Sequence, residues 1–193
     1  MTDDEAKIPT SRDAEPPLFR LIAEDWRTFD RQFSRQGLWA LVVYRFGHWQ
    51  YTRVRNRGLR LLFHVFYTVL KKLSEIVTGI ELPCTAVLGR RFVIDHFGGI
   101  VLGGSVVFGD DCRIRNGVTV GRSHSGEKTA PIFGNRVDIG AGAKILGAIR
   151  IGDDVAIGAN AVVLKDVPAD SIAVGVPARV LPRKREPIVE NDR

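Results

Sequence analysis

Cysteine is nearly absent: Cys84 and Cys112 are the only two in 193 residues. Two thiols without a CxxC spacing exclude a disulfide framework and a close-paired metal site, and they favour a reducing, cytoplasmic setting. A long apolar run is missing too. The longest, Leu61 to Leu70, is interrupted by His64 and Thr68 and followed by Lys71-Lys72, short of the roughly 18 residues a span needs, so no transmembrane helix is expected. No secretory signal is expected at the amino end, because Asp3, Asp4 and Glu5 stand where basic charge and then an apolar core would be required. Residues 1–17 are expected to form a disordered leader, and the charged residues 183–193 a flexible tail. Full disorder is excluded by a composition 45% hydrophobic and 26% charged.

Charge is present in excess of one sign, at a net +6, and it is unevenly placed. Between Leu18 and Thr78 there are eleven Lys or Arg against four Asp or Glu. A solvated basic face accounts for this, and contact of the basic helices with an anionic membrane surface, nucleic acid or an acidic glycan is the alternative. Nucleic acid is not an expected partner, since no strand platform interleaves aromatic and basic residues.

Apolar residues recur at helical spacing from Leu18 to Ile76, as in Leu18, Leu21, Ile22 and Trp26, then Leu38, Leu41, Val42, Phe46 and Trp49. Two or three amphipathic helices are expected over 18–79. Gly37 and the Arg55-Asn56-Arg57-Gly58 turn are the expected breaks, and Gly79 the close. His48 and His64 fall in this part and read as packing or capping residues.

After Gly79 the period changes to six. The anchors are Leu82, Leu88, Ile94, Leu102, Phe108, Ile114, Val120, Phe133, Ile139, Ile145, Ile151, Ile157 and Val163, and ten of the twelve intervals are six residues. On a helix, residues six apart fall about 120° short of a full turn, so these anchors cannot share one face. Three such steps close a circle, which describes short strands joined by corners in an 18-residue triangular coil. The position four after most anchors is small or branched, from Ala86 and Val106 to Ala161 and Val167, as a narrow interior demands. Cys112 is one of these and reads as a core residue. Glycine follows eight of the thirteen anchors, at corners expected to need backbone freedom. The two long intervals, eight and thirteen residues, contain Asp95-His96 and the polar stretch Arg122 to Thr129. That polar stretch nearly spells a phosphate-binding loop, but Glu127 intrudes and no helix follows to hold phosphate.

These hexads, with Asp95-His96, the run Gly140-Ala141-Gly142-Ala143-Lys144-Ile145-Leu146-Gly147 and the run Val174-Gly175-Val176-Pro177-Ala178-Arg179, resemble the hexapeptide-repeat acyltransferases, specifically the serine acetyltransferase group. Gly37-Leu38-Trp39-Ala40-Leu41 and Tyr44-Arg45-Phe46-Gly47-His48-Trp49 extend the resemblance upstream, so it covers Leu18 to Pro182. It implies an α+β chain in which a helical segment (18–79) precedes a left-handed parallel β-helix of hexapeptide repeats (80–182). It also implies a homotrimer and acetyl-CoA as co-substrate, with no metal.

Acetyl transfer to a hydroxyl needs a base that takes the hydroxyl proton, and an imidazole, with an ordinary pKa of about 6.5, suits the task at neutral pH. The resemblance places that base at His96. It assigns an orienting carboxylate to Glu81, fifteen positions earlier, where the group's usual residue is Asp, and an acceptor contact to Asp95. For the donor it implies backbone amides near Ala141 and Ala159 against the pantetheine arm, Gly121 at its border and Arg179 toward the nucleotide, between the coils of neighbouring subunits. The departure lies in the thirteen-residue interval. Serine acetyltransferases carry Arg-His before the proline matching Pro131, and those residues engage the amino acid's carboxylate, whereas Thr129-Ala130 stand there in this chain. His124 lies nearby as a substitute. Serine is therefore the leading acceptor and cysteine biosynthesis the leading context, with a sugar hydroxyl in surface-polysaccharide assembly as the rival and a non-catalytic scaffold as the alternative of another class.

Overall fold

The computed structural model describes residues 16–124 and 129–183. The expected leader and tail lie outside the described residues except for Pro16, Pro17 and Arg183. Three helices come first, α1 (Leu18–Thr28), α2 (Gln36–Arg53) and α3 (Arg57–Thr78). Asn56 caps α3 by accepting from the Leu59 N–H at 3.1 Å, and Gly79 ends it at φ 64°, a left-handed value that glycine meets without steric cost.

Short strands follow: β1 (Ile80–Glu81), β2 (Val87–Leu88), β3 (Val93–Asp95), β4 (Ile100–Leu102), β5 (Val107–Phe108), β6 (Arg113–Arg115), β7 (Thr119–Gly121), β8 (Ile132–Phe133), β9 (Asp138–Ile139), β10 (Lys144–Leu146), β11 (Arg150–Ile151), β12 (Ala156–Ile157), β13 (Val162–Val163), β14 (Ser171–Val174) and β15 (Arg179–Pro182). They stack as three parallel faces of a left-handed β-helix, in the orders β1-β4-β7-β10-β13, β2-β5-β8-β11 and β3-β6-β9-β12-β14. β15 turns back antiparallel on β14 and covers the far edge.

Every one of the thirteen anchors is buried, and so are the small residues four positions on. Phe92 is the large exception at that second position. It meets Phe108 edge-on at 5.1 Å, and Phe108 stacks on Phe133 at 4.1 Å, so an aromatic column runs through the first three coils of the prism.

The glycines after the anchors are needed for a different reason from the one expected. None has a positive φ. Coil stacks on coil too closely to admit a side chain: a Cβ at Gly89 would sit 2.2 Å from the Gly109 carbonyl oxygen, and one at Gly140 2.5 Å from the Ala159 nitrogen. Left-handed backbone falls instead on a column of non-glycine residues, Arg91, Asp111, Arg136, Asp154 and Asp170, with φ between 53° and 59°. Each N–H of the last four donates to the coil below, as from Asp111 to Arg90 at 2.9 Å and from Asp154 to Asn135 at 2.9 Å. Opposite charges bond along the column in two-nitrogen forks, Arg91 to Asp111 and Arg136 to Asp154.

The helices cap the open end of the first coil, where a strand edge would otherwise expose unpaired backbone. Tyr44 donates to the Ala86 carbonyl and accepts from the Leu88 N–H, both at 3.0 Å. His48 Nδ1 lies 2.8 Å from the Cys84 carbonyl, so that nitrogen carries the proton. Arg45 donates to the carbonyls of Leu88 (2.8 Å) and Gly89 (2.7 Å), and through Nε to Asp25 of α1 at 2.9 Å. Arg45 and Asp25 are 3% and 1% exposed. Burial raises the Asp25 carboxyl above its ordinary value, and the Arg45 guanidinium opposes that rise. Beside them Arg90 holds Glu24 of α1 by two nitrogens and lowers its carboxyl.

Gly37 is not a break. It lies in the first turn of α2, where a Cβ would fall 2.5 Å from the Ile94 carbonyl oxygen, so glycine lets α2 close on β3. The break is the loop at 29–35. α2 is also not one-faced: sandwiched between α1, α3 and the first coil, it buries Leu38, Leu41, Tyr44, Arg45, Gly47 and Gln50. α3, by contrast, buries only Tyr67 and Thr78. On its far side Leu59, Leu62, Phe66, Val69, Leu73 and Ile76 follow one another at three- and four-residue steps, all at least 45% exposed.

Replacing Asp25 by Ala is expected to leave Arg45 buried and uncompensated and to cost about 3–5 kcal/mol in urea unfolding. The same change at Asp111, on the open fork column, should cost about 1 kcal/mol or less. Burial pushes the Cys112 thiol up to about 12. In a Cys84→Ser variant, Cys112 should therefore react with a disulfide reagent only after denaturant is added, as followed by absorbance.

Candidate active site

One corner of the prism, between the third face and the first, carries the candidate chemistry. β3 ends at Asp95, and the chain turns through His96 (φ 62°), Phe97, Gly98 (φ 96°) and Gly99 (φ 67°) before β4 begins. The two extra residues of the eight-residue interval are taken up here. His96 and Phe97 are exposed, and His96 has no hydrogen-bond or ion-pair partner among the described residues. Glu81, exposed on β1 and in register with Val101, is likewise not joined to His96 by a hydrogen bond or an ion pair.

Asp95 is held more firmly. Its side chain is 18% exposed and pairs through Oδ2 with Arg113 of β6, while Oδ1 lies 3.7 Å from Arg35 in the loop before α2. Gly37, by letting α2 close on Ile94, brings that loop beside the end of β3.

The same corner continues upward. Ala141 follows β9 and Ala159 follows β12, two and three coils above the His96 turn, roughly 10 and 14 Å away at the ordinary strand spacing. Ala141 accepts from the Asn160 N–H at 2.8 Å, but neither the Ala141 nor the Ala159 N–H donates to any group among the described residues. Gly121 ends β7 at the other side of the first face, and a Cβ there would meet nothing within 4 Å. Arg179 is exposed on β15, and its guanidinium has no partner among the described residues. His96, Ala141 and Ala159 thus share one edge, whereas Gly121 and Arg179 border it from elsewhere.

Three side chains near this edge were not singled out from sequence. Arg113 and Arg35 are described above. Lys144, outward-facing before the anchor Ile145, donates to the Gly117 carbonyl (2.5 Å) and to Thr119 Oγ1 (3.1 Å). The hexad register marks Lys144 and Arg113 as outward, and coil stacking puts Arg115 level with Asp95. Arg35 carries no such signal, because only the packing of α2 brings it to the site.

Residues 125–128, within the polar stretch Arg122 to Thr129, lie outside the described residues. Of their flanks, His124 Nδ1 lies 2.9 Å from Ser123 Oγ. Ala130 is 4% exposed and packs into the core. No three His, Cys, Asp or Glu side chains among the described residues converge as a metal-binding group. One cavity, of about 250 Å³, lies between α1 and α2 along Leu21, Arg45 and His48, and another along Tyr51, Arg60 and His64. Neither includes His96, which stands on an open corner.

No family model matches the chain. The serine acetyltransferase of Helicobacter pylori (strain J99 / ATCC 700824) is 44% identical over 150 residues, covering 77% of this chain and 83% of that protein. The serine acetyltransferase of Brucella abortus strain S19 in complex with coenzyme A superposes with a TM-score of 0.75 at 31% identity, over 89% of this chain and 70% of that one. The Neisseria gonorrhoeae serine acetyltransferase in complex with serine gives 0.71 at 31% identity, over 85% and 69%. With its hexad β-helix, its capping helices and this degree of identity, the chain belongs to the serine acetyltransferase family.

Proposed function

We propose that this chain is an acetyl-CoA-dependent serine O-acetyltransferase with His96 as its general base. The observation that carries the reading is the corner itself: an exposed imidazole below the Ala141 and Ala159 N–H groups, none of the three with a hydrogen-bond partner for these atoms among the described residues. The relatives' complexes with coenzyme A and with serine support it.

His96 accepts the serine hydroxyl proton as that oxygen attacks the thioester carbonyl carbon. The tetrahedral intermediate collapses with loss of the thiolate, and the imidazolium returns the proton to the departing sulfur, leaving the O-acetyl ester and free CoA. The pantetheine arm contains amides that need partners, and the N–H groups of Ala141 and Ala159 fit that need. Gly121 leaves space for the arm, and the guanidinium of Arg179 suits a phosphate. Orientation of the base by Glu81 requires a new side-chain rotamer or a bridging water, since no direct bond joins them. A sugar hydroxyl is the second reading, favoured by Thr129-Ala130 and by the enclosure of Ala130 where an acceptor contact would be needed.

Assembly into a homotrimer belongs to this proposal. The exposed α3 residues keep the heptad spacing of a helix–helix seam. Together with Leu61, Val65 and Val77 they present on the order of 800 Å² of apolar surface, the area each partner contributes to a standard interface.

His96→Gln is expected to lower acetyl transfer at least 100-fold in a thiol-release assay while CoA binding by calorimetry is retained. Activity at the native level would remove His96 as the base. Val69→Glu with Leu73→Glu should turn a trimer into single chains by sedimentation. A native chain that sediments singly would rule the seam out.

A further inference from the structure

We propose that Arg113 and Arg35 bind the carboxylate of the acceptor amino acid, on either side of Asp95, which takes its ammonium group. The inference rests on the serine reading and supplies what Thr129-Ala130 do not.

Three observations carry it. The first is position. Asp95 directly precedes His96, and Arg113 and Arg35 reach it from two separate elements, one coil above on β6 and from the loop before α2. The second is the incompleteness of these pairings. Where arginine serves the β-helix column it closes a two-nitrogen fork on one carboxylate, as Arg91 does with Asp111 and Arg136 with Asp154. Arg113 touches Asp95 through Nη1 alone, and its Nε and Nη2 have no acceptor among the described residues. Arg35 approaches Asp95 at 3.7 Å, too far for a hydrogen bond, while Nε and Nη2 bond to Gln32 (3.2 Å) and Asp30 (3.5 Å), so Nη1 has no hydrogen-bond acceptor among the described residues. The third is exposure: the Arg35 and Arg113 side chains are 38% and 44% exposed, open to a ligand, whereas Asp95 is largely enclosed.

The chemistry matches a zwitterion. An α-amino acid presents a positive and a negative group on one carbon, and a carboxylate flanked by guanidinium groups offers the complementary pair. Asp95 keeps lone pairs beyond those met by the arginines, since a carboxylate accepts at about four sites. Guanidinium donors suit a carboxylate better than lysine would, because the fork can engage both oxygens. With both charges fixed beside Asp95, the side-chain hydroxyl is the group left to reach His96, one residue along the chain.

The test compares L-serine with L-serinamide, which keeps the amine and hydroxyl but lacks the carboxylate charge. In thiol-release kinetics at saturating acetyl-CoA, Arg113→Gln and Arg35→Gln should each raise the KM for L-serine about tenfold or more, the loss expected for a charged hydrogen bond. The KM for acetyl-CoA should not change. The preference for L-serine over L-serinamide should collapse in the variants, and Arg113→Lys should restore part of it. A native enzyme that uses L-serine, with variants that keep the native preference or lose both acceptors equally, would overturn the clamp alone. A native enzyme that turns over neither amino compound but acetylates a sugar would overturn the clamp and the serine reading together.

Discussion

The structure depends on one buried fork. A parallel coil of two- and three-residue strands has no natural end, and its first turn presents a row of carbonyls that an adjoining coil would normally bond. Arg45 meets two of them, at Leu88 and Gly89, with the same guanidinium that neutralises Asp25. Tyr44 and His48, on the same side of α2, meet the carbonyls of Ala86 and Cys84. The polar side of α2 is thus a substitute coil, and Asp25 ties α1 to it. Burying a charge is tolerable here because Nε, Nη1 and Nη2 of Arg45 each find an acceptor.

The cap also sets the site. α2 can lie on the first coil only because Gly37 leaves room against Ile94, and the loop that precedes it carries Arg35 to Asp95. Upward from that point the hexads repeat almost without variation, stacking backbone N–H groups along one edge at the spacing of strands. The repeat supplies a straight, rigid track, and the extra residues beside it supply the imidazole proposed as the base. Rigidity on one side and an exposed imidazole on the other are what a direct transfer between two bound substrates requires.

Much of this was legible in the chain itself. The six-residue period predicts which side chains face inward, and all the anchors from Leu82 to Val163 do so. The helix ends at Gly79 and at the turn before α3 were legible for the same reason, since local chemistry decides them. The roles of glycine were less so. Gly37 and Gly89 serve close approach between distant segments, and a sequence shows a glycine without showing what lies against it. Arg45 looks like one more basic residue until α2 is folded onto the coil. At the site, His96 and Asp95 announce themselves by interrupting the period, whereas Arg35 reaches Asp95 only through tertiary packing.

The central claim is that this corner moves acetyl groups onto the serine hydroxyl. Thiol release by the native chain, measured with acetyl-CoA and, in turn, L-serine, other hydroxyl amino acids and a panel of sugars, tests it most directly. Turnover with L-serine at ordinary enzymatic rates, about 1 per second or faster, is the predicted result. Release that depends on a sugar and ignores L-serine would contradict it.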